Sequence, residues 1–301
     1  MFDPVYLGVD ENGRPVYIDL VAHNILLGGE PGAGKSACLQ NVVAHAHLAS
    51  DSRPVLIDPQ YVELGMWESS AEAFIGPDIR DAINVMRWLH AEAERRTKIL
   101  RRYDLRKLTR EHDVDAIPVF IEELAFFTTM VGTKEQREEF TTLVRGAVAM
   151  FRKVAMPVVM AAQRPTADIV PTSLRDITGY RIAFRCTTPV SSNVILGDHW
   201  AQQGYSAADI APEDAGIGWI IAAQPKNAGK RRRFGLRTSS SLLPRRFKAA
   251  YLTDDDLTYL ADQAAYIRRP HTLTTTSGNG VDGTDGTDGT EVGINGSEVT
   301  A

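Results

Sequence analysis

Short apolar runs alternate with longer amphipathic stretches along most of the chain. Runs of strand length occupy 23–28, 55–57, 117–121, 157–162 and 180–185, with two further candidates at 216–221 and 246–251. Apolar residues at helical spacing extend to about 49 after the first of these strands, and then fill 79–108 and 134–153; a last helix is predicted from 254 to about 267. Continuous apolar strands separated by helices predict an α/β fold with a central, mostly parallel sheet.

The first 22 residues follow a different period. Apolar and polar residues alternate on both sides of Asn12-Gly13, a dipeptide that favours a tight turn between two strands. We therefore expect an N-terminal β-hairpin, residues 1–22, packed on a main domain at 23–253. A C-terminal helix, 254–269, follows. Residues 270–301, which repeat Asp-Gly-Thr, have too little apolar surface to fold and are expected to be disordered.

A glycine-rich segment links the first buried strand to a helix, which is the setting of a P-loop. Its glycines let consecutive backbone N–H groups surround phosphate oxygens, and the N-terminus of the helix adds positive potential. Lys35 is expected to reach the β- and γ-phosphates of ATP, and the Ser36 hydroxyl to hold Mg²⁺. An ordinary Gly-rich turn is the alternative, which the flanking strand and helix disfavour. The predicted nucleotide-binding residues are Gly29, Glu30, Pro31, Gly32, Ala33, Gly34, Lys35, Ser36 and Ala37.

Two other strands end in polar residues that suit the same chemistry. The strand 117–121 is followed by Glu122 and Glu123, as in a Walker B motif, where the first acid supports the metal and the second orients and deprotonates the attacking water. The first acid is usually aspartate, one methylene shorter. Gln163 follows the strand 157–162, at the edge where parallel sheets bind ligands, and is expected to sense the γ-phosphate; a simple strand-end turn is the alternative.

Composition narrows the possible classes of protein. Of 301 residues, 44% are hydrophobic and 24% are charged, which is ordinary for a globular protein with one substantial core. No apolar run is long enough to span a membrane and no leader is evident, so we expect a cytoplasmic protein. Cys38 and Cys186 are far apart and lack metal-ligand spacing, which favours reduced core residues.

The net charge of −5 conceals a partition of charge along the chain. Nine Lys and Arg and no acid lie between Gln224 and Lys248, whereas five acids and no Lys or Arg lie in 271–301. The positive stretch is a candidate contact for DNA phosphates, and a solvated hairpin tip is the alternative. The basic amphipathic helix at 79–108 is more typical of a solvated face. The predicted DNA-binding residues are Lys226, Lys230, Arg231, Arg232 and Arg233.

The order of these motifs resembles the motor domain of the FtsK/SpoIIIE DNA translocases, and more narrowly the TraB/TraSA-type conjugal transfer proteins of actinomycete plasmids. The resemblance covers about residues 5–265. Its most specific part is Ala162-Gln163-Arg164-Pro165-Thr166-Ala167-Asp168, followed by Gly179-Tyr180-Arg181-Ile182-Ala183-Phe184. Ile57-Asp58-Pro59-Gln60 with Glu63-Leu64 supports it.

The resemblance implies a RecA-like sheet, a homo-oligomer with six subunits in a ring around double-stranded DNA, and ATP hydrolysis at subunit boundaries. It also implies an arginine donated across the boundary to the γ-phosphate, for which Arg181 is the first choice and Arg185 the second. A membrane-anchored transfer protein would hold the ring at the membrane. The implied catalytic residues are Lys35, Glu122, Glu123, Gln163, Arg181 and Arg185, and the implied metal ligands are Ser36 and Glu122.

The chain departs from the family pattern at three positions. Family members commonly have Asp where Glu122 stands, Lys where Gln60 stands, and Arg where Asn193 stands. The last departure bears on the choice of the donated arginine. Both chosen arginines alternate with apolar residues, so the alternative for them is the exposed face of an edge strand.

An ATP-driven double-stranded DNA translocase in conjugative plasmid transfer is the function that the sequence favours. A ring ATPase that moves or unfolds a protein would use the same catalytic residues. A nucleotide-binding adaptor without motor activity, and a small-molecule kinase, are further alternatives that also use a P-loop.

Overall fold

The computed structural model of the protein describes residues 1–222 and 243–268. No helix in these two ranges has the length and hydropathy to cross a bilayer. The predicted tail at 270–301 lies outside the described residues, and so do the predicted DNA-binding residues Lys226, Lys230, Arg231, Arg232 and Arg233.

Ten strands and six α-helices are described. The strands are β1 (Val5–Asp10), β2 (Pro15–Ile18), β3 (Ile25–Gly28), β4 (Val55–Ile57), β5 (Ala73–Ile75), β6 (Val119–Ile121), β7 (Val158–Ala162), β8 (Tyr180–Phe184), β9 (Ile217–Ala222) and β10 (Arg245–Ala249). The helices are α1 (Lys35–Leu48), α2 (Ile79–Arg102), α3 (Lys134–Met150), α4 (Thr172–Arg175), α5 (Pro189–Leu196) and α6 (Asp254–Arg268). A π-helical turn, Phe126–Met130, precedes α3.

All ten described strands belong to one sheet, in the order β2-β1-β10-β9-β8-β3-β7-β6-β4-β5. The six strands from β8 to β5 run parallel to one another. The strands from β2 to β8 pair antiparallel. The α/β fold with a largely parallel sheet is thus confirmed, and β3 has a parallel neighbour on each side.

Burial explains why these segments become strands. Every residue of β3, β6 and β7 is buried, as expected where helices cover both faces of a parallel sheet. At the other end of the sheet β1 and β2 form a hairpin, in which Gly13 takes a φ of 70° and the Asp10 carboxylate accepts the backbone N–H groups of Asn12 and Arg14. Burial also raises the pKa of the Cys38 thiol to about 12, which keeps it protonated in the core.

Two interpretations of the sequence are corrected. β8 is not an edge strand, the alternative considered for its two arginines, because it lies between β9 and β3; Arg181 is half-buried and its Nη1 atom lies beside Gly197. The helix predicted at 79–108 ends at Arg102, since Asp104 takes a left-handed φ of 51° two residues later. β5 was not predicted from the sequence, because the pattern of apolar and polar residues over three positions is too short to be recognised.

The last described helix, α6, is hydrogen-bonded to the C-terminal end of α1, the helix that follows the P-loop. The guanidinium group of Arg268, at the end of α6, donates hydrogen bonds to the backbone carbonyl oxygens of Ala46, His47, Ala49 and Ser52. These carbonyl groups belong to the C-terminal end of α1 and the turn that follows, where backbone acceptors have no partner within the helix. A positive charge at a helix C-terminus is also favourable toward the helix dipole.

Replacement of Arg268 tests this contact. Arg268→Ala is expected to lower the free energy of unfolding by about 1–3 kcal/mol, because several carbonyl groups lose a charged donor. The measurement is chemical denaturation, with Gln263→Ala, an exposed position of the same helix, as the control. Equal stabilities for the two variants would contradict the prediction.

Candidate nucleotide-binding site

The P-loop runs between β3 and α1, and its shape depends on its glycines. Gly29, Gly32 and Gly34 have φ angles of 156°, 75° and 102°, in the region that favours glycine. Two of them also touch neighbouring segments. A Cβ atom at Gly34 would lie 2.4 Å from the Cα atom of Gly216, and one at Gly29 would lie 2.8 Å from the Cβ atom of Phe184. Conformation and contact therefore both require glycine at these two positions.

Lys35 and Glu122 form a buried ion pair. Lys35 is the first residue of α1, and Glu122 follows β6 directly. The Nζ atom of Lys35 donates a hydrogen bond to Oε1 of Glu122, and each side chain is only 3% exposed. Burial raises the pKa of Glu122; the charge of Lys35 opposes this shift and the charge of Glu123 adds to it. The Lys35 ammonium has three N–H donors and gives one to Glu122, so two remain for a phosphate group.

Glu123 adopts an unusual backbone conformation. Its φ is 54°, a left-handed value that costs a residue with a side chain on the order of 1–2 kcal/mol. The Glu123 carboxylate accepts hydrogen bonds from the backbone N–H groups of Ala125, at 3.2 Å, and Gln163, at 3.0 Å. The second contact joins the end of β6 to the end of β7. Backbone strain of this kind persists where the surrounding structure over-determines it, and it clusters at functional sites.

Ser36 contacts a carboxylate that the sequence analysis did not assign to the site. The Oγ atom of Ser36 donates a hydrogen bond to Oε1 of Glu63 at 2.8 Å. Glu63 lies in the loop after β4, which neighbours β6, so it approaches the P-loop from the same edge of the sheet as Glu122. Polar residues after parallel strands are candidates for this edge, but Glu63 is six residues beyond Ile57, the last residue of β4.

Arg185 lies beside the P-loop of its own chain. Its Nη2 atom is 3.5 Å from Oε2 of Glu30, and the backbone N–H of Glu30 donates a hydrogen bond to the carbonyl oxygen of Arg185 at 2.9 Å. The hydroxyl of Thr187 donates to the same Glu30 carboxylate. The second-choice arginine of the sequence analysis is thus tied to the P-loop within one subunit.

Arg181 lies apart from these groups, on β8 and level with Leu26 of β3. Its Nε atom is buried and has no hydrogen-bond partner in the described part of the chain. Burial, together with the nearby charge of Arg175, lowers the pKa of Arg181. Arg175 itself is bound by Asp198 through two hydrogen bonds of 3.1 Å.

The structure brings most of the predicted catalytic residues to one edge of the sheet, because β3, β7 and β6 are parallel neighbours. The Ser36 hydroxyl and the carboxylates of Glu63 and Glu122 are oxygen donors of the type that Mg²⁺ prefers. No cluster of three or more His, Cys, Asp or Glu within 1–222 and 243–268 could hold a metal by itself. Mg²⁺ in nucleotide sites takes one or two protein carboxylates and completes its ligands with phosphates and water. The residues grouped here are Lys35, Ser36, Glu122, Glu123 and Gln163.

Two curated relatives are similar to most of this chain. The DNA translocase FtsK of Treponema pallidum (strain Nichols) is 28% identical over 225 residues, which are 69% of this chain and 27% of that protein. The DNA translocase FtsK of Chlamydia muridarum is 27% identical over 278 residues, which are 84% of this chain and 31% of that protein. The chain therefore spans less than a third of the length of either relative.

Solved structures share the fold. The pCW3 conjugation coupling protein TcpA, in a monomer form with ATPγS, gives a TM-score of 0.72 at 20% identity, covering 89% of this chain and 71% of that chain. ATPases 2 and 3 of Thermomonospora curvata EccC, in complex with a signal sequence peptide, give a TM-score of 0.65 at 11% identity, covering 89% and 48%. At these identities the likeness shows the fold alone.

The family itself is shown by the sequence. The FtsK/SpoIIIE family matches residues 3–227, about three quarters of the chain. The resemblance to the FtsK/SpoIIIE family inferred from the motifs is therefore confirmed, and the matched region includes the P-loop, Glu122 after β6 and Gln163 after β7. The protein is a member of the FtsK/SpoIIIE family.

Proposed function

We propose that the protein hydrolyses ATP with Mg²⁺ at the P-loop and uses the energy to move double-stranded DNA, as a motor of conjugative plasmid transfer. The observation that carries this proposal is the meeting of Lys35, Ser36, Glu122 and Glu123 at one edge of the sheet of an FtsK/SpoIIIE family member. Relatives in Treponema and Chlamydia are DNA translocases, and a protein of the same fold is a conjugation coupling protein.

Phosphate binding follows from the shape of the P-loop. Backbone N–H groups and the N-terminus of α1 direct positive potential at the loop, and Lys35 offers the N–H donors that Glu122 does not use. Ser36 would hold Mg²⁺ through its hydroxyl oxygen, and the metal would neutralise charge on the phosphates. Glu122 keeps free lone pairs beside its bond to Lys35 and would support the metal with them.

Glu123 is the residue proposed to act on the attacking water. Its two carboxylate oxygens each accept one backbone N–H, from Ala125 and from Gln163, and each keeps a further lone pair for a water molecule. A carboxylate in this position takes a proton from the water as a general base. The side chain of Gln163, which follows the neighbouring strand β7, is proposed to sense the γ-phosphate.

The proposed assembly is a hexameric ring of this chain with duplex DNA in its channel. Residues 23–253 would form the motor, with the hairpin at 1–22 packed on it and the helix at 254–269 completing it. The basic segment between β9 and β10 would contact DNA phosphates through Lys226, Lys230, Arg231, Arg232 and Arg233. The ring would be cytoplasmic and would reach the membrane through a membrane-anchored transfer protein.

ATP turnover with and without duplex DNA tests the proposal. We expect duplex DNA to stimulate the wild-type protein, and Lys35→Ala to reduce turnover by at least about 100-fold because the phosphates lose a cationic contact. Glu123→Gln is expected to retain ATP and lose turnover, since an amide cannot take the proton of the water. Glu68→Gln, at an exposed position, is the control and should keep wild-type turnover. A rate of ATP turnover that is the same with and without duplex DNA would refute a DNA motor. Stimulation of turnover by a protein substrate would favour a motor that moves proteins.

The salt dependence of DNA binding tests the basic segment. The logarithm of the affinity is expected to fall by roughly 0.9 per log unit of salt for each phosphate contact. Replacing Arg231, Arg232 and Arg233 together by alanine should flatten this dependence. Alanine at Arg101, Arg102 and Arg106 removes the same charge from exposed positions at and beyond the end of α2 and should leave the slope unchanged. A flatter salt dependence in the second variant and an unchanged one in the first would assign the DNA contact to the end of α2 instead.

Mixed oligomers test the donated arginine. Arg181→Ala subunits keep an intact P-loop, and Lys35→Ala subunits keep Arg181. If Arg181 acts on a neighbouring subunit, mixing the two variants should restore turnover at the P-loops of the Arg181→Ala subunits. Arg185→Ala mixed with Lys35→Ala should stay inactive, because Arg185 is tied to Glu30 of its own P-loop. Recovery with Arg185→Ala and none with Arg181→Ala would exchange the roles of the two arginines.

A further inference from the structure

The hydroxyl group of Ser36 has a single proton, and Glu63 accepts it. Oγ of Ser36 lies 2.8 Å from Oε1 of Glu63. The Walker B carboxylate of Glu122 is instead engaged by Lys35. The acid in contact with the serine of the P-loop is therefore Glu63, to which none of the sequence motifs gives a role in the site.

The backbone around Glu63 is fixed from two sides. Gln40 of α1 donates a side-chain N–H to the carbonyl oxygen of Glu63, and the indole N–H of Trp67 donates to Oε1 of Gln40 at 2.9 Å. On the other side, the buried carboxylate of Asp58 accepts the backbone N–H of Leu64 at 2.9 Å. Glu63 is thus a preorganised partner of the P-loop helix, because both neighbouring contacts hold its loop in place.

The contact has a specific chemical consequence for metal binding. A serine binds a metal ion through an oxygen lone pair, so its proton has to point elsewhere. An acceptor that takes this proton decides which way the lone pairs face. Glu63 is such an acceptor for Ser36, and its negative charge attracts a cation while it repels a triphosphate that carries none. Outer-shell partners of this kind orient the ligand and tune the metal affinity.

We propose that Glu63 is a positioning residue for the divalent cation that accompanies the nucleotide. It accepts the proton of Ser36, turns the hydroxyl oxygen toward the cation, and makes the P-loop select metal-bound over metal-free nucleotide. This inference rests on the proposed function, because it takes ATP and Mg²⁺ as the ligands of the P-loop.

The experiment compares the affinity of the full chain for a fluorescent, non-hydrolysable ATP analogue in saturating Mg²⁺ and in EDTA, without DNA. Glu63→Gln preserves the size of the side chain and removes its charge. Its affinity in Mg²⁺ is expected to fall about tenfold, whereas its affinity in EDTA stays the same or improves. Glu68→Gln, an exposed position five residues on, removes an equal charge and should leave the ratio of the two affinities unchanged. Glu63→Asp, which keeps the carboxylate, should recover part of the ratio.

Two results would overturn the proposal. The first is an unchanged ratio in Glu63→Gln: if both affinities keep their wild-type values the carboxylate does not act on the cation, and if both fall equally its role is merely structural. Ser36→Ala combined with Glu63→Gln should change the ratio by less than the sum of the single changes, since both act on one contact; full additivity is the second contrary result. Failure of the proposed function looks different: the wild-type protein would itself bind no analogue in Mg²⁺, or would bind it and show turnover that duplex DNA does not alter.

Discussion

The buried ion pair of Lys35 and Glu122 is the interaction on which the arrangement of the site depends. Two charged groups that are each 3% exposed are stable only as partners, and removing one member of a buried pair costs about 3–5 kcal/mol. The pair spans a strand, because Lys35 follows β3, Glu122 follows β6, and β7 lies between them. It therefore requires the parallel register that sets Gly28 of β3 level with Ala162 of β7.

The P-loop is also joined to the antiparallel half of the sheet. The backbone N–H of Gly216 donates a hydrogen bond to the carbonyl oxygen of Ala33 at 2.9 Å, and the carbonyl oxygen of Gly216 accepts the N–H of Ala249 at 2.8 Å. Gly216 directly precedes β9, and Ala249 ends β10. Two backbone hydrogen bonds thus connect the phosphate loop to both strands that flank the most basic segment of the chain. Both bonds lie at the ends of β9 and β10 away from that segment, so in the proposed DNA motor the lengths of these two strands separate the nucleotide from it.

Local signals made the parallel half of the fold and most of the candidate site predictable. Buried strands and the glycine pattern each occupy a few consecutive residues, so no knowledge of the neighbouring strands was needed. Strand order is a tertiary property, which is why the arginines of β8 left an edge strand open as an alternative although β8 lies between β9 and β3. The end of α2 depends on the left-handed backbone of Asp104, which the helical spacing of apolar residues does not predict. Glu63 meets Ser36 only through the folding of the loop after β4.

The glutamate at the first Walker B position changes how the site divides its work. An aspartate would be shorter by about one carbon–carbon bond, ~1.5 Å, and would hold the Lys35 ammonium less closely. While Glu122 satisfies Lys35, the proton of Ser36 is taken by Glu63, so two carboxylates share a role usually given to one. The charges of Glu63 and Glu123 both act on Glu122, so three carboxylates share this region with the ammonium of Lys35. A bare triphosphate would add to this excess of negative charge and a divalent cation offsets it, so the electrostatics of the edge favour nucleotide and cation binding together.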